Sequence, residues 1–238
     1  MGEKMDSLYI VMPAYNEAEN IKDVIEEWYP VLKGKAEESR IVVADSGSTD
    51  RTHAILCELQ NKYPKLCIIA DTDRFHGPKV IALYRKAIND KIDYVFQTDS
   101  DGQTDPKEFE TFWDQRKKYE GIFGYRRHRG DGVIRGLVEK VVCLLLRIYF
   151  RVEIPDANAP FRLLNVNVLK KYLDKMPENY NLPNIMLTTY FVFYKERYSF
   201  QDITFKSRQG GVNSINMRKI FRIGINALKD FRKFKRDM

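Results

Sequence analysis

Short apolar runs alternate along this chain with longer stretches in which apolar side chains recur every three or four positions. "SLYIVM" (Ser7–Met12) precedes an amphipathic segment at 18–32, and "RIVVAD" (Arg40–Asp45) precedes another at 49–62. "LCIIAD" (Leu66–Asp71) leads to 78–89, and "DYVFQTD" (Asp93–Asp99) to 106–119. The first kind of run predicts strands and the second predicts helices. Four strand–helix pairs in succession predict an α/β fold with a mainly parallel sheet covered by helices on both faces. Further on, "GIFGY" (Gly121–Tyr125), "FRLLN" (Phe161–Asn165) and "YSFQDITF" (Tyr198–Phe205) predict strands, while 130–152 and 184–195 predict helices. No internal repeat or linker interrupts the series. Residues 1–214 therefore predict one domain, with halves of about 1–125 and 126–214, and 215–238 predict a basic amphipathic terminal helix.

Ligands of such sheets bind beyond the carboxyl ends of the strands, and the first four strands all end in polar turn formers. In "TDSDGQTDP", Asp99 and Asp101 stand one residue apart where Gly102 permits a tight turn. Two carboxylates so placed are either an acidic turn or the protein's share of a Mg²⁺ site completed by substrate phosphates. Asp105, before Pro106, reads as a helix cap. "PAYNE" offers Tyr15 to stack on a base and Glu17 to accept from ribose hydroxyls, or simply a cap at Asn16. In "ADSGSTD", Asp45 can accept the imide hydrogen of a base, with Ser48 or Asp50 capping the next helix. Lys79 in "HGPKVIALYRKA" is a solvated first-turn residue or reaches a phosphate.

Composition narrows the partners. The 238 residues are 44% hydrophobic, enough for a real core, and carry a net charge of +7. That charge, with a pI near 9.1, points to an anionic partner. Eight bases against two acids between Ile215 and Met238 hold nearly all of it. In that tail Met217, Ile220, Phe221, Leu228, Phe231 and Phe234 recur at mainly helical steps. The segment therefore either lies on an anionic membrane surface or packs on the domain. Three cysteines without a CxxC pair suggest reduced thiols and a cytosolic setting. No targeting peptide is expected, and the longest apolar run, Val141–Leu146, is too short to cross a bilayer. A nucleic-acid module would interleave its 28 Phe and Tyr with bases on one exposed surface. Here the strand aromatics sit in apolar runs that read as core, so nucleic acid is not expected as a partner.

In order and spacing, "VMPAYNEAENI", "VVADSGSTDRT", "HGPKVIAL" and "DSDGQTDP" resemble glycosyltransferase family 2, the inverting enzymes of the GT-A (Rossmann-like) fold. Within it, "GYRRHRGDGVIRG", "PDANAPFR" and "RQGGVNS" resemble the dolichol-phosphate mannose synthase branch, which includes polyprenyl-phosphate sugar transferases. The resemblance implies a donor pocket of Pro13, Tyr15, Glu17, Asp45, Lys79 and Ser100. It implies Mg²⁺ or Mn²⁺ on Asp99, Asp101 and Gln103. Arg126, Arg135 and Arg208 resemble the bases that grip donor and acceptor phosphates, with Asp156, Arg162 and Ser214 on the acceptor side. The chain departs from the family pattern at Ser46, where a second acid is usual, at Ala159-Pro160 in place of Ser-Gly, and by one extra residue in "RQGGVNS". The implied activity is metal-dependent hexose transfer from a UDP- or GDP-sugar to a polyprenyl or dolichyl phosphate. The implied location is the cytoplasmic face of a membrane, held peripherally by the terminal helix. A hydroxyl of a lipid-linked or cell-surface polysaccharide precursor is the other acceptor, and it would need a general base. No Glu-Asp pair of the kind that supplies one occurs between Asn165 and Phe200, which leaves Asp156 as the nearby candidate. A sugar-nucleotide binding protein without catalysis is a further alternative, which the intact acid pair disfavours.

Overall fold

The computed structural model describes residues 5–127, 130, 133–207 and 229–236. Seven strands, β1 (Leu8–Ala14), β2 (Arg40–Asp45), β3 (Leu66–Ile69), β4 (Tyr94–Gln97), β5 (Gly121–Tyr125), β6 (Arg162–Asn165) and β7 (Tyr198–Asp202), form one sheet in the order β3-β2-β1-β4-β6-β5-β7. β6 alone is antiparallel to its neighbours, wedged between β4 and β5. The other pairings are parallel.

Alternation along β1 shows how the sheet is covered, because successive side chains point to opposite faces. Leu8, Ile10 and Met12 pack beneath α1 (Ile21–Trp28), α2 (Thr52–Lys62) and α4 (Phe109–Trp113). Tyr9 and Val11 join the core under α3 (His76–Asn89), α5 (Val133–Phe150), α6 (Val166–Leu173) and α7 (Pro183–Phe193). The predicted two-sided α/β architecture is the one observed.

Two elements differ from the pattern-based expectation. The helix expected over 106–119 is a short 3-10 turn at Pro106–Glu108 followed by α4, which ends at Trp113. Beyond it, Gln115 and Arg116 donate to the carbonyls three residues back, tightening the chain into turns. α6 went unforeseen because Asn165 serves two elements: it ends β6 opposite Tyr94, and its Oδ1 accepts from the amides of Asn167 and Val168 to cap α6. Residues 229–236 are helical, but Phe231 and Phe234 turn into the core. Phe231 meets Tyr149 and Phe150, and Phe234 meets Tyr180 and Tyr190. Of the tail's apolar stripe, Met217, Ile220, Phe221 and Leu228 lie outside the described residues.

Candidate active site

The parallel pairing of β1 with β2 and β4 brings "PAYNE", "ADSGSTD" and "TDSDGQ" to one edge of the sheet. Hydrogen bonds stitch these ends together. The Ser100 hydroxyl donates to the Pro13 carbonyl at 2.8 Å. Asn16, at φ 55°, accepts from the Thr49 amide on its Oδ1, and its own amide donates to Ser48 Oγ. Asp50, one residue before the Arg51 cap position of α2, accepts from the Thr52 amide, and its other oxygen takes the Ala18 amide across the gap. Burial pushes its carboxyl pKa up, but the bonds from Thr52 and Ala18 outweigh this and hold it below the usual aspartate value. Ser48, the other capping candidate, instead donates to Asp45.

Because Ser100 is buried and turned inward, Asp99 and Asp101 on either side of it are left partly exposed at the strand end. Gly102 makes the following turn at φ 72°. Asp101 Oδ1 accepts from the Gln103 amide at 3.2 Å, and Asp99 Oδ1 lies 3.5 Å from His76 Nε2. Among the described residues no group of three or more His, Cys, Asp and Glu side chains gathers around a metal-sized space. Two hard carboxylates, both partly exposed, suit a divalent cation whose remaining ligands would be substrate phosphates and water. Gln103, expected as a supporting ligand, is buried and donates its Nε2 to the Lys206 carbonyl at 2.7 Å. Its backbone carbonyl accepts from the Lys206 amide, so it ties the acidic turn to the segment after β7. Asp105 is the expected cap, accepting from the Lys107 amide.

Asp45 is buried, with Ser48 Oγ on one oxygen and His53 Nδ1 at 3.2 Å from the other. Tyr15 stands exposed just past Ala14, the residue paired with Asp45 in the sheet, and Glu17 is buried with its Oε2 accepting from Asn20. Lys79 is neither solvated nor extended toward a ligand. It is 1% exposed, its Nζ donates to the Ala14 carbonyl at 2.5 Å, and it lies 5.3 Å from the Tyr15 ring centre. Burial pushes its pKa down while Asp45 and Asp73 oppose that shift. Lys79 is thus a buried positive charge tied to the end of β1 next to Tyr15.

Arg126 and Asp156 form a buried two-pronged pair, with Nε and Nη2 each 2.8 Å from a carboxylate oxygen. The Arg126 amide also donates to Asp156. Sequence reasoning missed Glu139, which completes this cluster from α5. Its Oε2 lies 3.7 Å from Arg126, and its Oε1 accepts from the Ala157 amide at 2.8 Å. The available signal was that Glu139 is the only acid in an eighteen-residue helix. His76 was also missed, though a histidine directly before the glycine of "HGPK" was visible.

Arg162 corrects the acceptor-side expectation. Its guanidinium is fully buried and spends its donors on the carbonyls of Ala157, Ala159 and Asn184 and on Thr188 Oγ1. Burial lowers its pKa, and the side chain braces the "PDANAP" turn from inside. Arg135 lies in the first turns of α5, half-buried. Arg208 and Ser214, like Arg129 and most of "RQGGVNS", lie outside the described residues.

The fold is a mainly parallel α/β sheet with a polar carboxyl edge. Comparison with known proteins makes the family definite: the Glycosyl transferase family 2 model matches residues 9–173, and the chain belongs to that family. Over 150 residues it is 25% identical to the undecaprenyl-phosphate 4-deoxy-4-formamido-L-arabinose transferase of Pectobacterium carotovorum, covering 62% of this chain and 45% of that protein. It is 26% identical over 108 residues to a dolichyl-phosphate beta-glucosyltransferase of Trichomonas vaginalis, covering 43% of this chain and 33% of that one. The chain thus spans half or less of the length of these relatives. Glucosyl-3-phosphoglycerate synthase of Mycobacterium tuberculosis, solved with Mn²⁺, UDP-glucose and glycerol 3-phosphate, shares the fold. Its TM-score is 0.67 at 16% identity, over 95% of this chain and 80% of that one.

Proposed function

We propose that this protein transfers a sugar from a nucleoside diphosphate sugar to a lipid-linked phosphate, with a divalent cation held by Asp99 and Asp101. The observation that carries this reading is the convergence of Tyr15, Asp45 and the Asp99/Asp101 turn at the adjoining carboxyl ends of β1, β2 and β4. A cation there would offset the charge that develops on the departing diphosphate. Tyr15 offers its exposed face to the base, with Asp45 behind it and Lys79 holding the Ala14 carbonyl. Ser100 fixes the acidic turn against β1, so both carboxylates are placed before the donor arrives.

A phosphate acceptor is supported by Asp156. Both its oxygens accept from Arg126, so it is set as a counter-ion and not to take a proton. A phosphate oxygen is already ionised at neutral pH and needs no base to attack, whereas a hydroxyl does. The two polyprenyl- and dolichyl-phosphate relatives support the same acceptor class, and the Mn²⁺ and UDP-glucose complex of the Mycobacterium enzyme supports the donor class.

The test is a donor screen with purified protein, polyprenyl phosphate and Mn²⁺, reading release of UDP or GDP, alongside calorimetric titration of Mn²⁺ in the presence of UDP or GDP. Metal-dependent release that falls at least about 100-fold in Asp101→Asn, together with lost Mn²⁺ binding, is expected. Full turnover by that variant would remove the metal assignment.

A further inference from the structure

The loops beyond β1 and β2 spend their polar side chains largely on one another. Ser46 donates to the Thr72 carbonyl at 2.6 Å, Asn16 accepts from the Thr49 amide, and Ser48 donates to Asp45 Oδ1. The second oxygen of Asp45 faces His53, in the first turn of α2, with Nδ1 at 3.2 Å. The Asp45 side chain is 2% exposed, whereas that of His53 is 51% exposed. Asp45 thus lies closed behind Ser48 and His53, and the imidazole is the part of the pair that solvent or a ligand reaches.

An ionised carboxylate can only accept hydrogen bonds, so the contact with Asp45 places the His53 proton on Nδ1. That leaves Nε2 with a lone pair, and among the described residues it has no hydrogen-bond partner. The buried Lys79 ammonium already interacts with the Asp45 charge, so a neutral His53 leaves the carboxylate compensated. Two further bonds hold the imidazole near Tyr15. The Asn16 amide donates to Ser48 Oγ at 3.0 Å and the Glu17 amide to Thr52 Oγ1 at 2.8 Å. The loop that carries exposed Tyr15 is therefore tied to the start of α2, one residue from His53.

We propose that His53 reads the base of the donor, with Nε2 accepting the imide hydrogen of a uracil or guanine stacked on Tyr15. Asp45 acts behind it by fixing the tautomer, as a carboxylate does for a histidine whose other nitrogen must stay an acceptor. The inference rests on the nucleotide-sugar reading above and names the class of base. Uracil carries this hydrogen on N3 and guanine on N1. Cytosine and adenine present a ring nitrogen with a lone pair there instead, which would face the lone pair of Nε2. The site therefore selects UDP or GDP over CDP or ADP.

The test is calorimetric titration of the full chain, in the presence of Mn²⁺, with UDP, GDP and their methylated forms 3-methyl-UDP and 1-methyl-GDP, in which the imide hydrogen is replaced. Wild type is expected to bind UDP or GDP roughly tenfold or more tightly than the methylated form. His53→Phe keeps a ring over Asp45 but has no acceptor. It should weaken the unmethylated nucleotide about tenfold and bring the two forms within about threefold of each other. A second measurement does not depend on a variant: nitrogen-15 histidine labelling of wild type at about pH 8 should show His53 protonated on Nδ1, with the Nε2 resonance moving when UDP or GDP is added. A wild-type ratio that survives in His53→Phe, or a His53 proton on Nε2, overturns the proposal while leaving the donor reading in place. Wild-type protein that binds neither UDP nor GDP overturns the donor reading, and this proposal with it.

Discussion

Replacing Asp156 separates a counter-ion from a catalytic base. In the structure its carboxylate is 2% exposed and holds Arg126 by two bonds of 2.8 Å, so Asp156→Ala strands a guanidinium in a dry site. Removing one partner of a buried pair costs about 3–5 kcal/mol. Glu139, 3.7 Å from the same guanidinium, still compensates part of the charge and places the expected cost near the lower end, about 3 kcal/mol. For a chain of this size that is a melting-point drop of roughly 6–12 °C. Urea unfolding followed by circular dichroism reads the loss as a lower midpoint at unchanged slope. Asp156→Asn keeps the shape and removes the charge, so it should lose a smaller part of the stability while kcat of the folded enzyme falls by less than about tenfold. A general base behaves in the opposite way, with kcat down about 10²–10⁴-fold and stability intact. Wild-type stability in Asp156→Asn combined with such a loss of kcat would refute the counter-ion reasoning and favour a hydroxyl acceptor. The double variant Arg126→Met/Asp156→Leu should regain much of the stability lost in Asp156→Ala, since an apolar pair of similar size removes both desolvation costs.

Other regions give independent checks. A Cβ on Gly77 would stand 2.3 Å from the Tyr180 carbonyl oxygen and 2.6 Å from the Asn181 backbone, none of which can swing aside. Gly77→Ala should therefore cost about 1–3 kcal/mol and, by shifting the start of α3 with His76 and Lys79, raise KM for the donor; unchanged melting and unchanged KM would contradict this. The folded-state pKa of Asp50 is lowered, so its contribution to stability is present above the unfolded value of about 3.9 and is lost as pH falls through the lower folded value. Asp50→Asn should thus narrow its stability gap to wild type as pH is taken below about 4, measured by urea midpoints, and a gap that widens there would reject the assignment. Burial and the nearby Glu139 carboxylate push the Cys143 thiol pKa up to about 12, so native protein at neutral pH should leave Cys143 unmodified by iodoacetamide while exposed Cys57 reacts, as read by mass spectrometry.

What the chain alone determined is what depends on local pattern. Alternating apolar runs specified the strands of the parallel half, their polar ends marked one edge of the sheet, and the order of four motifs pointed to the family. Asp105 as a cap was legible because capping is settled within three residues, by Asp105 and the Lys107 amide. Tertiary structure decided which of several equally polar side chains face solvent. Lys79 and Arg162 look like ligand-reaching bases in sequence, yet both are buried, because carbonyls from other segments meet their donors: Ala14 for Lys79, and Asn184 for Arg162, which also bonds the nearby Ala159 carbonyl. Asp156 and Glu139 are separated by seventeen positions and converge on Arg126 only once α5 has packed in the folded chain. The apolar content of α5 was plain from the start. Which of its sides would be covered was not, since a helix rich in apolar residues all round carries no record of its neighbours until they have packed against it.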